Sequence, residues 1–167
     1  MTKVAPVPKG FKTVTPCLTV RGVDQAIEFY KAAFDAEETK RLYNADATWI
    51  LHAELKIGNS VVFLAEENPF LGILSPNSLG GSATLGHLYV KNIDGFVEKA
   101  LTAGATEITP IADTYWGDRM GKLADPFGHV WTVASRVENV SAEEIAERVK
   151  SIAGIDPDRD FLPELAA

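Results

Sequence analysis

Apolar and β-branched positions fall in short runs, broken by glycine, proline and acidic residues. Residues 14–20, VTPCLTV, read as a strand entered through Pro16, whose missing N–H marks an edge or a strand start. Asp24 offers a helix cap. Ala26, Ile27, Tyr30, Ala33 and Phe34 then recur at helical spacing and make one apolar face. Strands are predicted near 37–43, 47–57 and 60–65, the last two joined by a turn at Ile57-Gly58-Asn59-Ser60. Residues 66–84 carry prolines, glycines, serines and asparagines and predict a long loop of the kind that links units or serves function. The pattern then restarts. A strand over 85–91 leads to a helix capped by Asp94, with Phe96, Val97, Ala100 and Leu101 on one face and Gly104 at its end. Strands near 105–112, 118–124 and 129–135 follow, with a turn at Asp125-Pro126-Phe127-Gly128.

This is an internal repeat. At an offset of about 70 residues Val20 meets Val90, Val23 meets Ile93, Asp24 meets Asp94, Glu28 meets Glu98 and Gly58 meets Gly128. The matched order of elements says more than these few identities: strand, helix, three strands, twice. One βαβββ unit leaves a sheet face it cannot cover alone, and pairing two closes the sheets around a cleft. The predicted fold is α+β: two βαβββ modules, about 12–66 and 85–136, forming a curved mixed sheet around a cleft, with an extra C-terminal helix over about 141–153. Ser141-Ala-Glu-Glu144 is a capping box for that helix. Ile145, Val149 and Ile152 form its stripe, and Gly154 can end it. Phe161, Leu162 and Leu165 predict a tail that docks on the body or on a partner subunit.

Composition narrows the classes. The chain has 167 residues, 46% hydrophobic and 23% charged, which excludes disorder, collagen and coiled coil and fits a single domain over 1–167. No stretch approaches about 18 uninterrupted apolar residues, so no transmembrane helix is predicted. The formal net charge is −7 and no lysines or arginines cluster in a run, which argues against nucleic acid and membrane surfaces as partners. Cys17 is the only cysteine, so no internal disulfide forms. The opening MTKVAPVPKGFK lacks the apolar core of a secretory signal, and the expected location is cytoplasmic.

Three segments carry a resemblance. TPCLTVRGVDQAIEFYKAAFDAE (15–37), HAELKIGNSVVFLAE (52–66) and WGDRMGKLADPFGHVW (116–131) stand in order along the chain. Together they resemble the vicinal oxygen chelate superfamily, which includes glyoxalase I, bleomycin-resistance proteins and extradiol dioxygenases, and within it the PhnB-like branch. The resemblance implies a paired-module cleft, a homodimer, and in the enzymes a divalent metal. That metal is held by His, Gln or Glu from the first and last strands of each repeat, and its open positions take two vicinal substrate oxygens.

Transferred onto this chain, those metal positions are Thr15, Phe63, Leu85 and Thr132. Two hydroxyls and two apolar side chains lack the imidazole, carboxylate or thiolate that a transition metal prefers. A shifted register would bring in His87, after Gly86, and pair it with Cys17, two residues beyond Thr15 on the same strand face. One histidine and one thiol remain a poor zinc or nickel site. His52 lies in the third strand, where ligand contact and a structural hydrogen bond are both open readings. Glu54 is expected to be solvated. His129 has parity opposite to Thr132 and is expected to be structural, and Trp131 to be core. An aromatic and polar cleft is left, with ligand-binding candidates Thr15, Cys17, His52, Phe63, His87, Tyr89, Trp116, Arg119 and Thr132. Aromatic faces stack on planar ligands and Arg119 offers an anion partner. The expected function is metal-independent binding or sequestration of a small, planar or aromatic organic molecule, with no cofactor. The alternative is a metal-dependent lyase, isomerase or dioxygenase of glyoxalase type.

Overall fold

The computed structural model describes residues 4–151. In chain order its elements are β1 (Cys17–Val20), α1 (Val23–Phe34), β2 (Glu37–Tyr43), β3 (Ile50–Ile57), β4 (Ser60–Glu66), a 3-10 turn at Pro69–Leu71, α2 (Pro76–Leu79), β5 (Leu85–Tyr89), α3 (Ile93–Thr102), β6 (Thr106–Asp113), β7 (Asp118–Ala124), β8 (Val130–Arg136) and α4 (Ala142–Ser151). Both βαβββ modules are present, and each builds its own mixed four-stranded sheet. The orders are β1-β4-β3-β2 and β5-β8-β7-β6, so β1 and β5 are equivalent edge strands, each parallel to the last strand of its module.

The boundaries shift where polar side chains take over from strand pairing. Asn44 Oδ1 accepts from the N–H groups of Thr48 and Trp49, and this loop delays β3 to Ile50. Pro16 stays outside β1, although its carbonyl accepts from the Phe63 N–H at 2.8 Å.

Neither predicted aspartate cap serves as one. The residue capping α1 is Gly22, in the left-handed region at φ 92°. It has no side chain to satisfy the free N–H groups, and Glu66 at the end of β4 supplies the missing oxygens. Its two carboxylate oxygens accept from the Gly22 and Val23 N–H groups at 2.9 and 3.1 Å. Helix α3 is capped by Asn92, which accepts from the Gly95 N–H. Asp24 and Asp94 instead sit in the first turns and bind arginines from the sheets, Arg41 of β2 and Arg119 of β7, both at 2.8 Å.

Helices α1 and α3 pack against each other, and the core lies between them and the inner sheet faces. Val23, Ala26, Ile27, Phe29, Tyr30, Ala33 and Phe34 of α1 are all buried. Phe34 meets Trp131 of β8 and Phe96 of α3 at ring distances of 5.1 and 5.2 Å. Trp131 is therefore core, as its parity predicts. Asp125, in the turn before β8, is a hub: it accepts from the Phe127 and His129 N–H groups, the Trp131 indole and the Tyr30 hydroxyl. His129 is structural, with its Nε2 2.9 Å from the Thr19 carbonyl, tying β1 to the second module.

The 66–84 segment holds two short helical turns and is fastened at Glu67 and at α2. Glu67 accepts from both serine hydroxyls of α2's cap region, Ser75 and Ser78, and from Arg21, while Asn77 donates to the Pro126 carbonyl. Helix α4 begins with the predicted cap, Ser141 Oγ accepting from the Glu144 N–H at 3.2 Å. The Glu144 carboxylate turns forward to Arg148 rather than back. Gly154 and the apolar tail lie outside the described residues. Among the described residues no helix is long and apolar enough to cross a membrane.

Candidate functional site

Strand alternation sends Leu18, Val20, Ala53, Leu55, Val62 and Leu64 towards the helices, and so turns Cys17, His52, Glu54 and Phe63 to the opposite, open face of the first sheet. The N-terminal segment, Pro6 to Thr15, crosses this face. Beneath it lies a cavity of about 530 Å³, lined by Phe11, Lys12, Thr13 and Thr15 from the segment and by Lys40, Glu54 and Phe63 from the sheet. That volume lies within the range of small-molecule sites. The Phe63 ring forms one wall, 5.8 Å from the Phe11 ring and 4.7 Å edge-on from the His52 ring. Glu54 is largely buried, its side chain 14% exposed. It lies 3.5 Å from the Lys40 ammonium and 3.3 Å from His52 Nε2. It belongs to the site and is not a solvated surface group.

The structure thus brings Thr15 and Phe63 together at one cavity, with His52 against the Phe63 ring and Cys17 on the adjacent strand, opposite Phe63 in the ladder. Partial burial pushes the Cys17 thiol's pKa up, the reverse of what an activated nucleophile needs.

The remaining candidates lie in the second module. His87 and Tyr89 stand side by side on β5, rings 4.8 Å apart. The Tyr89 hydroxyl and the Trp116 indole both donate to Asp118 Oδ2, at 2.9 and 3.0 Å. The hydrogen bond to Asp118 raises the Tyr89 pKa, burial and the Asp118 charge adding to it. Thr132 is buried between His87 and Lys122 in the ladder. The Arg119 guanidinium is held by Asp94 and Asp113, which ties α3 and β6 to β7.

His87 and Tyr89 also line a groove of about 940 Å³ between the modules, together with the β3–β4 turn and the start of α3. At the other junction between the modules the His129 ring closes on the Thr19 carbonyl.

Phe11, Lys12, Thr13, Lys40 and Glu54 are site residues that pattern reading did not gather. Lys40 and Glu54 are ladder partners on β2 and β3, and Glu54 shares strand parity with His52. The N-terminal segment, with two prolines and a glycine, has no periodicity to announce where it lies.

Comparison with known proteins settles the family. The model for the Glyoxalase/Bleomycin resistance protein/Dioxygenase superfamily matches residues 11–133. The chain belongs to this superfamily. It is 39% identical over 141 residues to an uncharacterized protein of Mycobacterium bovis, covering 83% of this chain and 92% of that one. The crystal structure of an Arabidopsis thaliana gene product is 30% identical with a TM-score of 0.60, covering 74% of this chain and 98% of that one. A fosfomycin resistance protein, FosX of Listeria monocytogenes, in complex with Mn(II) and sulfate, shares the fold alone: 14% identity, TM-score 0.57, with 80% and 95% of the chains covered.

The superfamily's metal does not fit the residues present. At the four transferred positions stand Thr15, Phe63, Leu85 and Thr132. Phe63 is packed between Phe11 and His52, and Thr132 is 2% exposed. None offers the imidazole, carboxylate or thiolate of a transition-metal site. Among the described residues no cluster of three or more His, Cys, Asp or Glu is placed to hold a metal, and the Cys17–His87 pairing finds no third ligand.

Proposed function

We propose that this superfamily member binds a small organic molecule in the cavity beneath its N-terminal segment, without a chelated metal. One observation carries the reading: at a chelate position stands Phe63, whose ring lines the cavity in tilted contact with the Phe11 ring. An aromatic wall recognises a planar ligand by stacking and by burial of apolar area. A lysine–carboxylate pair at the sheet side, Lys40 and Glu54, supplies polar orientation. The motifs WGDRMGKLADPFGHVW and HAELKIGNSVVFLAE support a place in the PhnB-like branch. The exposed apolar side chains Leu42, Tyr43, Trp49 and Leu51 support a homodimer, which light scattering behind a sizing column would test.

The direct test is calorimetric titration of purified protein with a panel of planar compounds, run with a Phe63→Ala variant. At least one compound is expected to bind wild type and to lose most of its affinity to Phe63→Ala. Elemental analysis after incubation with manganese, nickel and zinc and desalting is expected to find far less than one metal per chain. Stoichiometric metal would overturn the reading.

A further inference from the structure

We infer that the cavity's ligand presents an uncharged N–H donor, of the kind an aryl amide or lactam carries, to the Glu54 carboxylate. This deepens the proposed function and rests on its reading of the cavity as the binding site.

Glu54 differs from the other deeply buried carboxylates. Glu67 accepts from the Ser78 and Ser75 hydroxyls at 2.6 and 2.7 Å, from the Arg21 guanidinium at 2.7 Å and from the Ser75 N–H at 3.0 Å. Asp125 accepts from the Phe127 and His129 N–H groups and the Trp131 indole, all at 2.9 Å, and from the Tyr30 hydroxyl. Asp118 Oδ2 accepts from the Tyr89 hydroxyl and the Trp116 indole at 2.9 and 3.0 Å. Glu54, with its side chain 14% exposed, has no donor that close. Its carboxylate contacts among the described residues are His52 Nε2 at 3.3 Å and the Lys40 ammonium at 3.5 Å, both long for a hydrogen bond. Of these four carboxylates Glu54 is the one that lines the cavity.

What Glu54 lacks is hydrogen bonds rather than countercharge. Lys40 already stands beside it as a positive neighbour, and its half-exposed ammonium keeps its own solvation. An ionised carboxylate accepts only, at two oxygens. A molecule that fills the cavity shuts solvent off from this carboxylate. It must then bring a donor or leave a buried charge without hydrogen bonds, which is costly. A ligand carboxylate would meet Glu54 as a like charge, and an ester oxygen would meet it as a second acceptor. A ligand ammonium would compete with Lys40 for the same charge. An amide N–H bonds Glu54 and leaves the Lys40 pair intact.

The test uses three probes of one shape, 2-naphthamide, methyl 2-naphthoate and 2-naphthoate, each titrated calorimetrically into the full-length protein. The amide is expected to bind at least about tenfold tighter than the ester, the size of a hydrogen bond to a charged group, with the acid weakest. In Glu54→Gln the side chain can itself donate, so the ester and the acid are expected to gain affinity and the amide's lead to close. That gain also shows that the variant folds and keeps its cavity. An ester that binds wild type as tightly as the amide, or an acid that binds tighter, with both weakened by Phe63→Ala, would overturn the donor inference and leave the binding site standing. An amide lead that survives Glu54→Gln unchanged would overturn it in the same way. Binding of all three that is indifferent to Phe63→Ala, or no binding at all, would overturn the inference and the proposed site together.

Discussion

The Tyr30 hydroxyl donates to Asp125 Oδ2 at 2.5 Å across 95 residues of chain, joining the helix of the first module to the last turn of the second. Both groups are buried, and burial together with the neighbouring carboxylate holds the Tyr30 pKa well above its ordinary value. The repeat does not duplicate this bond: Ala100 of α3 stands at the position that matches Tyr30 of α1.

Tyr30→Phe keeps the ring and removes this single bond. A loss of about 1–3 kcal/mol is expected in urea denaturation, because Asp125 then keeps a buried oxygen with only the Trp131 indole as donor. Asp125→Ala, which leaves four donors without an acceptor, is expected to cost more. Equal stability of Tyr30→Phe and wild type would show that this bond adds nothing net to the joining of the modules.

Glu67 predicts a pH dependence. Hydrogen bonds from the Ser78 hydroxyl, the Ser75 N–H and hydroxyl and the Arg21 guanidinium hold its carboxyl down at about 2. A lowered acid stabilises the fold fully above its unfolded pKa of about 4.3, and the contribution vanishes as pH falls through the folded value. Glu67→Gln should therefore melt below wild type at neutral pH, with the gap closing between about pH 4 and about pH 2. A gap independent of pH would mean that shape rather than charge fastens the 66–84 segment.

Gly86 has ordinary backbone geometry but no room. A Cβ there would lie 2.3 Å from Cε3 of the buried Trp131 ring. Gly86→Ala is expected to destabilise by about 1–3 kcal/mol, as overpacking does. Thermal melting reads this, and affinity for a ligand in the first module's cavity should be unchanged in the fraction that stays folded.

Arg119→Ala separates two roles. Its guanidinium is held by Asp94 and Asp113, and in both pairs Arg119 is half-buried and the aspartate exposed. The expected cost is up to about 1 kcal/mol of stability with ligand affinity unchanged. A tenfold loss of affinity in titration would return Arg119 to the binding site.

The sequence by itself determined the two βαβββ modules and the residues that face inward. Period and parity are local properties, and Ala26, Ile27, Tyr30, Ala33 and Phe34, Trp131 and the capping serine of α4 obey them. The helix caps needed the fold, because Gly22 is completed by Glu66 from 44 residues away and no local rule selects that partner. The cavity needed it too. Phe63 was legible as a cleft-facing ring, but the segment that joins it at the cavity has no periodic pattern, and its residues line the cavity only when it crosses the first sheet. The groove beside the β3–β4 turn and the junction closed by His129 are likewise set only when the modules pack.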